Sequence, residues 1–238
     1  EIGYAPFSAI TASIAGFHTS GSNPSGYTHL SPATDQDLSI YVVKQFSESS
    51  LRPDDQQAVK FMVTGAFGEL ESPFYSYQYE NNKWNLAARV RHENYPYANV
   101  TGNAPNKYII EFYGIEADGD TKRNSFYLSS NVDVSYFTSN KIFYAGAHRI
   151  NFTGSSVHET DIKLGQVRYW HSYLSNDAID QHAYDSETFG ANEPFESDLV
   201  NIYPSEIPRE KTLSFYWAFN DLTGSDGSGE ILVSDLSS

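Results

Sequence analysis

Glu111 and Glu116 close the string E-F-Y-G-I-E, and paired carboxylates on a strand are the residue types that cleave glycosidic bonds. Retaining hydrolysis needs one carboxylate as nucleophile and one as acid/base, about 5 to 5.5 Å apart. Side chains alternate along a strand, so a separation of five sends these two to opposite faces. Only a β-bulge would return them to one face. The spacing therefore predicts solvent-facing glutamates on a half-buried strand and no glycosidase. Glu69 and Glu71 do share a face, yet Pro73 follows at once, which reads as an edge strand protected by charge.

The remaining acids and histidines suggest an ion more than a catalyst. No His-Glu-x-x-His, Gly-x-Ser-x-Gly or phosphate-cradling glycine loop occurs, and there is no cysteine. His171 and His182 stand too far apart, if joined by helix, to share a metal. Calcium takes hard oxygens from clustered carboxylates and carbonyls. Asp118 with Asp120 is the first candidate metal pair, followed by Asp35 with Asp37 and Asp226 with Glu230. The competing reading is turn-forming aspartate.

Sugar recognition uses an aromatic platform against the apolar face of a pyranose, with a few polar groups fixing its hydroxyls. Tyr75, Tyr77, Trp84, Tyr95 and Tyr97 are the candidate ligand-binding residues. Tyr75, Tyr77 and Tyr79 share strand parity, and Tyr95 and Tyr97 flank Pro96 on a loop. Aromatic alternation also serves core packing, the stronger reading for the strand tyrosines. Trp170 and Trp217 sit among apolar neighbours and read as buried core. Asn99-Val-Thr101 and Asn151-Phe-Thr153 match the glycosylation acceptor pattern.

These residues must be positioned by strands. With 18 Tyr and 15 Phe but only 19% charged residues in 238, the composition suits a single β domain. Turn signals recur about every ten residues, as antiparallel sandwiches require. Leu38, Ile40, Val42 and Phe46 open a strand whose partner is Ala58 to Gly65. Phe74 to His92 reads as a hairpin turning at Asn81-Asn82. Tyr108 to Ile115 and Ser125 to Ser129 pair around Asp118-Gly-Asp120. Phe143, Ala145 and Ala147 alternate, Gly154 turns the chain, and Ile162, Leu164, Val167 and Tyr169 make a second strand. Ser175 caps a short helix carrying Ala178, Ile179, His182 and Ala183 at helical spacing, with Asp177 near its positive end. Leu213, Phe215, Trp217 and Phe219 alternate as a last strand.

A net charge of −15 repels phosphate backbones and excludes nucleic acid as a natural partner. No apolar run reaches membrane-spanning length, so no membrane insertion is expected, and the first residues lack the basic flank of a signal peptide.

The order GAHR…F-T-G…V-R-Y-W…L-S-N-D-A-I, within Ile142 to Asp185, resembles the C-terminal signature of concanavalin A-like lectin/glucanase sandwiches, in particular the laminin-G-like branch. The resemblance spans roughly Leu38 to Tyr184. It implies an all-β, antiparallel two-sheet jelly-roll sandwich with one short helix, which gives residues 1–34 as an N-terminal extension or loop, 35–220 as the jelly roll and 221–238 as a tail or linker. Glucanase members carry E-x-D-x-E or E-x-D-x-x-E on one strand; here Tyr113 replaces the middle aspartate. Laminin-G-like rims use acidic side chains and backbone oxygens for calcium, which adds to the interest of Asp118 and Asp120. Animal members commonly carry a disulfide that this chain cannot form, and the resemblance extends to bacteriophage tail and capsid-associated proteins. It implies a non-enzymatic carbohydrate-binding or adhesion module of an extracellular or virion structural protein, with a glycan or neighbouring virion or surface proteins as partners. A purely structural assembly domain and a glycosidase are the competing classes.

Overall fold

The computed structural model describes residues 11–19, 38–45, 58–76, 82–95, 107–133, 141–146, 148–149, 156–158, 162–186, 212–219, 222–225 and 231–237. Its elements in chain order are β1 (Thr11–Thr19), β2 (Leu38–Lys44), β3 (Val59–Gly65), β4 (Gly68–Glu71), β5 (Lys83–His92), β6 (Lys107–Asp118) and β7 (Thr121–Asp133). There follow β8 (Lys141–Ala145), β9 (His148–Arg149), β10 (Ser156–His158), β11 (Val167–Trp170), α1 (Asn176–Tyr184), β12 (Leu213–Trp217), β13 (Leu222–Ser225) and β14 (Ile231–Val233). The chain is all-β, mostly antiparallel, with one short helix among the described residues. It divides into two compact units, Glu1–Asn82 with Val90–Phe112 and Phe126–Ile162, and Lys83–Arg89 with Tyr113–Ser125 and Lys163–Ser238.

Unit 1 is organised by a five-stranded sheet in the order β4-β3-β2-β1-β8. The expected pairing of β2 with β3 is present, antiparallel, from Ser39 opposite Thr64 to Lys44 opposite Val59. Residues Thr11–Thr19, expected to belong to an N-terminal extension, form β1, an interior strand between β2 and β8. The glycine, serine and proline content of the following residues masked this strand, whose small residues Ala12, Ser13 and Ala15 are buried. Gly16 has a specific reason to lack a side chain. Tyr144 of β8 reaches across it to donate a hydrogen bond to Ser39 Oγ of β2 at 2.9 Å. A Cβ on Gly16 would lie 2.5 Å from the Leu38 carbonyl oxygen and 2.6 Å from the Tyr144 hydroxyl.

The other face of β3 meets aromatic rings of the same unit. Phe61 stacks on Phe126 at 6.0 Å, and Phe126 meets Phe112 edge-on at 5.0 Å. Tyr75 joins this group, 6.3 Å from Phe126. It does so by pairing with Val59, each residue's N–H bonding the other's carbonyl at 2.9 and 2.7 Å. The expected hairpin from Phe74 to His92 is therefore replaced: Tyr75 continues the β4 edge along β3, while β5 pairs with β6. Glu69 and Glu71 are exposed on β4, the edge strand, as the charge pattern predicts.

The strands β5, β6 and β7 form a three-stranded sheet. β6 and β7 join through Gly119-Asp120, and Gly119 takes φ 56°, the positive value a primed hairpin turn needs at its first central position. β8 and β11, expected as successive strands on either side of a turn at Gly154, belong to different sheets: β8 pairs with β1 and β11 with β12.

In unit 2, Ser175 caps α1 by accepting from the Ala178 N–H at 3.2 Å, and Asp177 lies in the first turn. Ala178, Ile179 and Ala183 are buried against Tyr113, Ile115, Ala117 and Leu174, with Trp170 packed on the same cluster. Residues 221–238, expected as a tail, contain the β13–β14 ribbon. Beyond it, the Leu236 N–H donates to the Tyr216 carbonyl and the Tyr216 N–H to Asp235, each at 2.9 Å. The backbone bond from Tyr216 holds the Asp235 carboxyl below its ordinary range.

Candidate functional site

Glu111 is 1% exposed and Glu116 3% exposed, so neither is the solvent-facing glutamate its spacing suggested. The whole run from Ile110 to Ala117 is buried because both faces of β6 are covered. In unit 1, Glu111 Oε1 accepts from Arg91 Nε at 2.6 Å and from the Tyr127 hydroxyl at 2.7 Å. A guanidinium and a phenol from the two flanking strands thus satisfy a carboxylate removed from water, which burial without partners would make very costly. Tyr127 is nevertheless 47% exposed: its hydroxyl is anchored while its ring faces solvent. Burial, and then the bond to Glu111, raise its phenol above the ordinary value.

In unit 2, Glu116 accepts from Asn124 at 2.6 Å. Tyr113, in the place of the expected middle aspartate, donates to Asp180 of α1 at 2.6 Å. Lys122 donates to the Tyr113 hydroxyl at 2.6 Å and to Asp180 at 3.1 Å. Arg89, itself buried, donates to the Leu174 carbonyl at 2.8 Å and to Asn176 at 2.7 Å, with its guanidinium 4.9 Å from the Tyr173 ring centre. These bonds pin the start and the middle of the helix to β5, β6 and β7 residues of the same unit. They are positioning contacts, and the tyrosine in them is shifted away from ionising: burial and Asp180 raise the Tyr113 phenol.

The β11–β12 ribbon of unit 2 supplies the aromatic surface. Tyr169 lies opposite Phe215 and Val167 opposite Trp217, while Trp170 pairs with Leu213, so Ser214 is an extra residue on β12. This bulge reverses the parity expected for the last strand. Leu213, Tyr216 and Ala218 turn inward with Trp170, and Phe215 and Trp217 share the opposite face with Tyr169. The rings of Tyr169 and Phe215 are 5.6 Å apart and 12° from parallel, and those of Phe215 and Trp217 are 4.9 Å apart at 28°. His171 meets Tyr169 edge-on at 5.5 Å. Trp217 and Trp170, both expected as fully buried, are half-buried, and Tyr169 is 37% exposed.

The described residues among those singled out from sequence belong to both units. Tyr75 is engaged in the aromatic packing of unit 1, and Trp84 is half-buried on β5 in unit 2. Tyr95 is 40% exposed just after β5, its N–H bonded to the His92 carbonyl. Tyr77, Tyr97, Asp35, Asp37, Asp226, Glu230 and both glycosylation acceptors lie outside the described residues. Asp118 is ion-paired with Arg123, and Asp120 is exposed on the adjoining turn. Among the described residues, no three His, Asp or Glu side chains converge as metal ligands.

Sequence reasoning missed Tyr127 and Tyr169 as exposed aromatics and half-buried Phe215 as the companion of Tyr169 on the outer face of the ribbon. For Tyr127 the signal was present: Ser125, Tyr127, Ser129, Asn131 and Asp133 alternate as a solvent face around buried Phe126 and Val132. For Tyr169 and Phe215 it was hidden by the bulge.

Ionisable groups of both units make one testable demand on pH. Burial pushes the Tyr144 phenol far up, and Tyr113 and Tyr127 are raised for the reasons above. Desolvation opposes the charge on Lys122, yet its bonds to Tyr113 and Asp180 raise it overall. The unfolded chain releases these protons from about pH 10 upward while the folded chain retains them. Stability is therefore fully present below about pH 10 and falls above it. Urea midpoints should drop clearly between pH 8 and pH 11, and Tyr144→Phe should shrink that drop. Equal midpoints at the two values would contradict the assignment.

No family model matches the chain, and no curated protein or solved structure is significantly similar to it. Function is therefore argued from the surfaces themselves.

Proposed function

We propose that the chain is a non-enzymatic carbohydrate-binding or adhesion module of a larger extracellular or virion structural protein, built on an antiparallel two-sheet jelly roll of the concanavalin A-like kind. The observation that carries this reading is the ladder of Tyr169, Phe215 and Trp217 on one face of a two-stranded ribbon. Near-parallel, partly exposed rings offer the apolar surface against which the C–H face of a pyranose packs, while His171 at its end adds a polar group. The net charge of −15 favours neutral over anionic glycans. The virion or surface setting rests on the resemblance within Ile142 to Asp185. Burial of Glu111, 1% exposed beneath Arg91 and Tyr127, supports binding over hydrolysis, because a nucleophile must reach the sugar it attacks.

The test is a glycan array with and without calcium, followed by titration of hits with Tyr169→Ala and Trp217→Ala. The expected result is binding to a neutral glycan that both substitutions weaken roughly tenfold, with no new reducing ends released. Binding of no glycan under either condition would overturn the reading in favour of an assembly domain. Release of reducing ends that disappears in Glu111→Gln, with folding intact, would establish a glycosidase instead.

A further inference from the structure

The outward row of β7 in unit 1 combines features that the ladder does not. Tyr127, Ser129, Asn131 and Asp133 are all exposed, at alternate positions of a strand that is the outer member of its sheet. At about 3.4 Å per residue the row runs roughly 20 Å in a straight line. It holds one aromatic ring followed by a hydroxyl, an amide and a carboxylate. A protein-docking surface would instead present a contiguous apolar patch of a few hundred Å².

The ring at the head of the row is held in a way its exposure does not require. Tyr127 is 47% exposed, yet its hydroxyl donates at 2.7 Å to Glu111, a carboxylate 1% exposed and already bonded to Arg91 at 2.6 Å. An exposed side chain ordinarily loses rotamer freedom when a ligand stacks on it. Here that freedom is removed beforehand by an anchor buried in the sheet. The anchor pair is charge-neutral, and Asp133 at the far end disfavours anionic ligands.

We infer that the row Tyr127, Ser129, Asn131 and Asp133 is a linear binding site for a neutral oligosaccharide, with Tyr127 as a pre-set stacking platform and Glu111 and Arg91 as its positioning residues. This rests on the carbohydrate-binding reading and adds a site in unit 1 to the ladder of unit 2. One sugar ring packs on Tyr127, and the following rings present their hydroxyls to Ser129, Asn131 and Asp133. The length of the row makes the ligand an extended chain of several sugars in place of a monosaccharide.

The experiment titrates neutral hexasaccharides of glucose, mannose and N-acetylglucosamine into the full chain, by saturation-transfer NMR and calorimetry. Variants are Tyr127→Ala, Tyr127→Phe, Asn131→Ala and Tyr169→Ala, with circular dichroism to establish folding. Asn131 is exposed; removing the Tyr127 hydroxyl takes one donor from buried Glu111 and leaves Arg91, so both Tyr127 variants should lose stability alike, and binding is compared only where circular dichroism shows the fold retained. For at least one hexasaccharide, Tyr127→Ala should weaken binding roughly tenfold and Asn131→Ala roughly threefold. Tyr127→Phe keeps the ring but frees it, and should weaken binding to a lesser degree than Tyr127→Ala. If Tyr127→Ala leaves every affinity within about twofold while Tyr169→Ala abolishes binding, the inference falls and the broader reading stands. If the unaltered chain binds none of the hexasaccharides, the inference falls, and the array result decides the broader reading separately.

Discussion

Replacing Arg91 with Ala is expected to lower folding stability by about 3 to 5 kcal/mol, the range for removing one partner of a buried ion pair. Glu111 would remain 1% exposed with its guanidinium donor gone and the Tyr127 hydroxyl as its one other donor described above. The Arg91 side chain is 22% exposed, so water can partly refill its place and the cost belongs near the lower end of that range. Glu111→Gln should cost less than Arg91→Ala: the amide keeps the shape and an acceptor oxygen for Arg91, whose guanidinium also meets the Glu93 carbonyl and retains contact with solvent. Urea denaturation with an unchanged slope is the measurement. A loss below about 1 kcal/mol for Arg91→Ala would mean that Glu111 is solvated or protonated, which would reopen its chemistry.

Glu111 also marks where reading from sequence reached its limit. Parity along β6 correctly separates it from Glu116, but parity is local information. Whether a face is wet depends on what the rest of the chain lays over it, and in β6 both faces are covered from Ile110 to Ala117. The donors that make burial tolerable, Arg91 and Tyr127, come from the neighbouring strands 20 and 16 residues away. Nothing in E-F-Y-G-I-E announces them.

Local signals were read well where the physics is local. Ser175, Asp177 and the spacing of Ala178, Ile179 and Ala183 specify a capped helix within ten residues, and α1 follows them. The β2–β3 pair was legible because both runs are apolar. Small residues hid β1: Ala12, Ser13, Ala15 and Gly16 carry little apolar signal, and Gly16 is required by the Tyr144 side chain crossing it. Strand partners farther apart were not legible, as the separation of β8 from β11 illustrates. Neither was a one-residue bulge, although Ser214 alone decides which aromatics of β12 face inward.

The register of the β11–β12 ribbon leads to the second large effect: Trp217 lies opposite Val167, three residues from Trp170, so the two tryptophans take opposite faces. Trp170 packs against the helix cluster of Ile179 and Ala183 and also against Leu213, Tyr216 and Ala218, and its ring stacks on His182 at 5.9 Å. Truncating it removes the side chain shared by two core clusters of unit 2. Trp170→Ala is therefore expected to cost about 3 kcal/mol, the lower end of large aromatic truncations, since the residue is half-buried. Trp217 stacks on Phe215 on the outward face, and Trp217→Ala should cost only about 1 kcal/mol while removing part of the proposed glycan platform. Denaturation of the two variants side by side, with a glycan titration of each, reads both quantities. Trp170→Ala should lose stability more than it loses specific contact with ligand, and Trp217→Ala the reverse. Equal stability losses would show that the ribbon has no inner and outer face, and the parity assigned to the Tyr169, Phe215 and Trp217 ladder would fail with them.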